Sequence, residues 1–230
     1  LLTIISLLIS CSSEQEIKLI KLVGSPDYSE SELKLSSVSG EYDFSFDVLN
    51  YNLGEQTEGA KEKGLANSAK GQHIHFIVNN DPYSAHYNSN FSKELEVDNN
   101  VILAFLSRSY HESVKNKKAY VLTQISKDKT KEIDLTKQFL FYSRPKGVYK
   151  GDDTKKLLLD FYLVNTEISP KGNKVRLTVQ EKEFIIDSWE PYYIEGLEKG
   201  EVNLKLELID ERNNLIKTEF NPSYRKVVLE

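Results

Sequence analysis

The sequence predicts an all-β protein made of two tandem immunoglobulin-like or cupredoxin-like β-sandwiches. Three observations carry this. Apolar and polar residues alternate with period two in segment after segment of the 230 residues. No segment carries a helical stripe of useful length. The two halves of the chain also resemble each other, in the same order.

The first half offers "EIKLIKLV" (16–23), "ELKLSSV" (32–38), "EYDFSFDVLNY" (41–51), "HIHFIV" (73–78), "SKELEV" (92–97), "VILAFLSR" (101–108) and "AYVLTQIS" (119–126). The second half offers "KQFLFYS" (137–143), "KKLLLDFYLVN" (155–165), "KVRLTVQ" (174–180), "EFIIDS" (183–188) and "EVNLKLELID" (201–210). Gly, Asn, Asp and Pro punctuate between them. The best helical candidates are short, at 58–69 and 111–118.

Three pairs of segments correspond across the halves: "DVLNYNL" (47–53) with "YLVNTEI" (162–168), "HIHFIV" with "KVRLTV" (174–179), and "LEVDNNVILAFL" (95–106) with "LEKGEVNLKLEL" (197–208). The order favours a duplicated sandwich of about 100 residues and about seven strands per copy. The joint falls near the charged "SKDKTKE" (126–132), giving a first sandwich over 17–127 and a second over 128–230. The copies differ most before the histidine strand, where "GEQTEGAKEKGLANSAKGQ" (54–72) stands against "SPKGN" (169–173). A long insert on a sandwich loop is a common place for function.

The chain opens on the uncharged apolar run Leu1 to Ile9, too short for a spanning helix of about 20 residues. It reads as the apolar part of a secretory signal, with 1–10 as its remnant. The run ends in Leu8-Ile9-Ser10-Cys11, which resembles the bacterial lipoprotein lipobox. The resemblance implies cleavage before Cys11, a diacylglyceryl thioether on its sulfur and an acylated amine. Several acyl chains at about 0.8 kcal/mol per buried CH₂ would hold such a protein to a membrane. Residues 11–16 then form a lipidated tether, and Ser12 after the cysteine implies the outer membrane. Cys11 is the single cysteine, so no internal disulfide or cysteine metal cluster can form. Net charge is −5, with basic residues spread along the chain, which argues against nucleic acid as a partner. Expected partners are the membrane, through the anchor, and other envelope proteins.

All four histidines, His73, His75, His86 and His111, fall within 73–111. In a strand, residues two apart share a face. His73 and His75 therefore point one way with Ile77, while Ile74, Phe76 and Val78 form the core. Two imidazoles at this spacing can converge on one ion, with His86 or His111 as third ligand. Copper is the first candidate and zinc the second. Without methionine or an internal cysteine, a blue-copper thiolate centre is excluded. In the second copy Lys174 and Arg176 occupy the histidine positions. The strand's exposed polar face is the plainer explanation of the pair.

The stretches "GQHIHFIVNNDPYSAHY" (71–87), "VILAFLSRSYHES" (101–113), "FYSRPKG" (141–147) and "LLLDFYLVN" (157–165) resemble a group of uncharacterised lipoproteins of Gram-negative bacteria with a Gly-x-His-x-His strand. Some of those carry a phosphopeptide-binding label. The resemblance implies a lipoprotein β-fold and no established activity. Ser107-Arg108-Ser109-Tyr110-His111 is also similar to the Ser-Arg-x-His loop of forkhead-associated domains, with one residue more. That likeness implies an anion site through Arg108. The companion Gly-Arg and Asn-Gly elements of that family are not evident.

No Gly-x-Ser-x-Gly elbow, phosphate loop, HExxH helix or dinucleotide fingerprint occurs. Asp152-Asp153 lies in an expected turn, where solvation explains it. The sequence thus points to a membrane-anchored, non-enzymatic binding or assembly protein. Its working surface would be the 54–72 loop, the histidine strand and the 107–111 loop, lined by Tyr83, Tyr87, Tyr110 and Arg108. A copper or zinc binding protein and an anion binder through Arg108 are the alternatives.

Overall fold

The structure is a computed structural model and describes residues 16–40, 42–95, 98–126 and 132–230. The signal-like run, Cys11 and the expected joint at 127–131 lie outside them. Among the described residues there are sixteen strands: β1 Lys18–Lys21, β2 Glu32–Ser39, β3 Asp43–Leu49, β4 His73–Val78, β5 Ser84–His86, β6 Asn90–Ser92, β7 Asn99–Ser107, β8 Tyr120–Ser126, β9 Phe139–Arg144, β10 Gly147–Tyr149, β11 Leu157–Val164, β12 Lys174–Val179, β13 Lys182–Ile186, β14 Tyr192–Glu195, β15 Gly200–Ile209 and β16 Ser223–Leu229. The helical candidates at 58–69 and 111–118 are not helices. The first contains one turn of 3-10 helix, Lys61–Lys63, and the second contains none. Both lack the apolar stripe that would bury a helix face. Among the described residues no helix is long and apolar enough to cross a membrane.

In the first copy the sheet β2-β3-β6 faces the sheet β5-β4-β7-β8. In the second, β14-β11-β9 faces β13-β12-β15-β16. Position for position these are the same seven strands in the same order. The equivalence reaches the turns. Asn50 and Asn165 each adopt φ 54° after the second strand of their copy. The loop after β7 is bridged at Ser107 and Ser113, and the loop after β15 at Ile209 and Leu215. The two alternating cores follow, one around Phe44, Phe76 and Leu106 and one around Leu163, Leu177 and Leu206.

Two strands extend the second copy. β10 pairs parallel with β16, and β1 pairs antiparallel with β14. The sequence assigned residues 18–21 to the first sandwich; their hydrogen bonds are with the second. The free edge of β14 accepts them because edge strands present unpaired backbone groups.

The two sandwiches share a third core. Ile77, Leu103 and Phe105, on the outward face of β4 and β7, pack against Phe139, Phe141, Tyr162 and Val164 of β9 and β11. Phe105 stacks on Tyr162 with centroids 4.7 Å apart. Polar groups pin the contact. Asp160 of β11 receives Lys115 Nζ at 2.7 Å and Ser113 Oγ at 2.8 Å. Asn80 donates to Ser223 Oγ at 2.6 Å and accepts from the Tyr142 backbone N–H at 2.8 Å. The outward face of the histidine strand is therefore not solvent-exposed. It lies at the junction of the two sandwiches.

Candidate metal centre

His73 and His75 leave β4 on its outward face, as the alternation requires, and both are 0% exposed. His111 comes from the loop after β7, where a tight turn (His111 N–H to Arg108 O, 2.9 Å) puts it in the left-handed region at φ 71°. A non-glycine residue there is uncommon and marks a constrained site. One nitrogen from each ring lies within 4.8 Å of the others. His75 Nε2 is 2.9 Å from His73 Nε2, and His111 Nδ1 is 3.2 Å from His73 Nε2. Metal–nitrogen bonds of about 2.0–2.1 Å place ligand nitrogens about 3.3 Å apart around a tetrahedral ion and about 2.9 Å apart at right angles. Both pairs that include His73 stand at that spacing already, and all three nitrogens fall within 4.8 Å.

The outer nitrogens of the first two rings are held. His73 Nδ1 donates to the Gly71 carbonyl at 2.8 Å, which leaves its Nε2 lone pair free for an ion. His75 Nδ1 meets Ser143 Oγ at 3.2 Å. A carbonyl or hydroxyl behind a ligand imidazole fixes tautomer and orientation. Gly71 itself sits at φ +83°, and a Cβ there would lie 2.4 Å from the Glu55 carbonyl oxygen. Only glycine fits where the carbonyl must turn toward His73.

The 54–72 insert packs over this site. Thr57 and Ser109 bond reciprocally, backbone N–H to hydroxyl, at 3.2 and 2.9 Å. Ser68 N–H reaches Ser109 O at 2.8 Å, and Ser68 Oγ meets the Tyr87 hydroxyl at 2.7 Å. The insert, the histidine strand and the 107–111 loop thus pack together. Tyr83 stacks on His75 with centroids 3.5 Å apart, and its hydroxyl is 3.2 Å from His111 Nδ1. Tyr87 lies 5.1 Å from the His73 ring.

Burial sets the charge state. It pushes His73 down to about 4, with Arg144 and Lys146 acting in the same direction. Burial also holds His75 and His111 well below the ordinary histidine range. Neutral imidazoles are the ligating form. Burial, then Arg144, lowers Lys146 to about 8, and burial raises Tyr83 above its usual range.

Three residues singled out by the sequence are not part of this cluster. His86 does pair with β4, but opposite Ile74, so it shares the inward face. It stacks on Phe91 at 3.5 Å and cannot join His73 and His75. Arg108 is 6% exposed and serves the loop: Nη1 pairs with Glu112 at 3.0 Å and donates to Ser113 O at 3.0 Å, and Nη2 donates to Pro26 O at 2.5 Å. Both terminal nitrogens of the guanidinium are thus engaged within the loop, while Nε has no partner among the described residues. Tyr110 is buried in a small core with Leu22, Ala60, Leu65 and Leu158. Conversely, Gly71 and Ser143 bond to the rings, and Arg144 and Lys146 stand beyond them against Tyr83, although sequence reasoning gave none of the four a role. Their signal was the unbroken apolar strand "FLFY" running into "SRPKG".

No known family profile matches the chain, and no curated protein matches it. Among solved structures, fibronectin(III)-like modules of Clostridium thermocellum CbhA are similar at 13% identity and TM-score 0.31, over 86% of this chain and 94% of that one. SGBP-B of the Bacteroides ovatus mixed-linkage glucan utilization locus, solved in complex with a mixed-linkage heptasaccharide, is similar at 7% identity and TM-score 0.20, over 69% of this chain and 61% of that one.

Proposed function

We propose that the protein binds one copper or zinc ion through His73, His75 and His111, at the junction of its two sandwiches. The observation that carries this is the convergence of three neutral imidazole nitrogens within 4.8 Å, two of them with their outer nitrogens already bonded. Uncompensated, such a cluster would be a poor use of a buried junction that is otherwise Ile, Leu, Phe and Tyr. The charged side chains acting on His73 and His111 are the cations Arg144 and Lys146. Cys11 in its lipobox-like setting makes the carrier a lipid-anchored envelope protein, with the outer membrane as its location.

Isothermal titration with Cu(II) and Zn(II) tests the site. One ion per chain is expected for the wild type, with binding lost in His73→Ala/His75→Ala. Equal binding by that variant would overturn the assignment. For the anchor, labelled palmitate should enter the wild type but not Cys11→Ala.

A further inference from the structure

The candidate centre has a surplus of positive charge. Arg144, at the end of β9, is 8% exposed. It donates Nη1 to the Tyr149 hydroxyl at 2.9 Å, and its Nε is buried without a partner among the described residues. Lys146 Nζ stands 3.9 Å from the Tyr83 ring centroid and donates to the Tyr83 carbonyl at 2.6 Å. Tyr83 in turn covers His75. Two other largely buried cations are matched with carboxylates: Arg108 with Glu112 at 3.0 Å and Lys115 with Asp160 at 2.7 Å. Arg144 instead has phenols.

A divalent ion held by three neutral imidazoles adds two further positive charges to this low-dielectric junction. Unbalanced charge there is costly, and nearby negative charge relieves it. Three protein ligands also leave a coordination position open on zinc or copper. His111, Tyr87 and Lys146 are the half-buried residues around it.

Resting on the metal reading above, we propose that the open position takes a small planar oxyanion, a carboxylate or carbonate, bound jointly by the metal, Arg144 and Lys146. The guanidinium offers the planar fork that matches a carboxylate, and the ammonium offers a point charge beside it. The protein then binds metal and anion together, each strengthening the other, because linkage between two ligands is reciprocal.

The full chain, loaded with one equivalent of Cu(II) in an anion-poor buffer, is titrated with sodium acetate and with sodium hydrogen carbonate. Sodium perchlorate controls for ionic strength. Acetate or hydrogen carbonate should shift the visible copper band saturably and raise copper affinity at least tenfold, while perchlorate does neither. In Arg144→Gln and Lys146→Gln, copper binding without anion should be retained or tightened, since a repelling cation is gone. The anion response should weaken at least tenfold. Should Arg144→Gln fail to fold, the half-buried Lys146 decides alone. A copper band and affinity indifferent to acetate and hydrogen carbonate would overturn the proposal. So would variants that lose metal affinity equally with and without anion. Wild type that binds no copper in any buffer would instead remove the metal reading, and this inference with it.

Discussion

The two copies of the sandwich place different chemistry on the same backbone. In the first, β4 supplies His73 and His75 and the loop after β7 supplies His111. In the second, β12 supplies Lys174 and Arg176 and the loop after β15 supplies Asn213. The registers agree: His73 faces Ser107 and His75 faces Phe105 on β7, while Lys174 faces Ile209 and Arg176 faces Glu207 on β15. The loops agree too, with His111 at φ 71° and Asn213 at φ 66° each closing a four-residue turn. The surroundings differ. The outward face of β4 is covered by β9 and β11, whereas Lys174 and Arg176 remain half-exposed and Arg176 pairs with Glu207 at 2.8 Å. The fold therefore needs neither histidine nor a covered face at these positions. The first copy combines the two, and a buried set of neutral ligands results.

The largest expected effect breaks that difference. Converting His73→Lys and His75→Arg, as in the second copy, buries two cations beside Arg144 and Lys146. An uncompensated buried charge costs about 3–5 kcal/mol, so denaturant unfolding should show a loss of that order or outright failure to fold. The reverse change, Lys174→His with Arg176→His, should cost only about 1 kcal/mol, because that face is half-exposed and the pair lost there is partly solvated. Equal costs in both copies would mean that the covering of β4 has no energetic consequence.

Acid is expected to act on the first copy. The unfolded chain takes up protons at His73 below about 6.5, while the folded chain does so only near 4. Metal-free stability should therefore be intact above pH 6.5 and fall as pH drops toward 4, by roughly 3 kcal/mol from this residue alone. His75 and His111 add in the same direction. Urea midpoints between pH 7 and 4 check this, and His73→Phe/His75→Phe/His111→Phe should flatten the curve. A profile that stays steep in that variant would place the acid sensitivity elsewhere.

Smaller effects sharpen the local account. Gly71→Ala sets a Cβ 2.4 Å from the Glu55 carbonyl oxygen and turns away the carbonyl that orients His73. Metal affinity should drop about 10–100-fold, as for other groups behind a ligand. His86→Ala should lose its stack on Phe91, about 0.5–1.5 kcal/mol in thermal unfolding, and its hydrogen bond with Ser84 Oγ, about 1 kcal/mol more, with metal affinity unchanged. A weakened site in that variant would contradict the facing assigned to His86.

Much of this was legible in the sequence. Period-two alternation gave most strands, and the internal repeat gave the duplicated topology. The face of β4 was also correct, since a strand's alternation allows only two choices. The short strands β5, β6, β10 and β14 escaped because three or four residues carry no periodicity; the seven-residue β16 (Ser223–Leu229) escaped as well, and the strand expected over 92–97 does not extend past Ser92 in its described residues. His86 was misplaced as a third ligand because register between strands decides its face, and one residue of slip reverses it. The covering of β4 was missed because packing between sandwiches leaves no mark on a strand's own period. A sign of it existed in "LLLDFYLV" (157–164) and "FLFYSR" (139–144), which are buried along their whole length. Continuous apolar strands are covered on both faces, and the second cover here is the first sandwich. Arg144 and Lys146 carried no motif. Their importance follows from what they adjoin.

The account depends most on three histidine rings sharing one ion. X-ray absorption at the zinc edge of protein loaded with one equivalent of Zn(II) measures this directly. The expected spectrum shows a first shell at about 2.0–2.1 Å with the outer-shell scattering of three imidazoles, reduced to two in His111→Ala. A shell of oxygens without imidazole scattering, or a spectrum unchanged in His111→Ala, would contradict it.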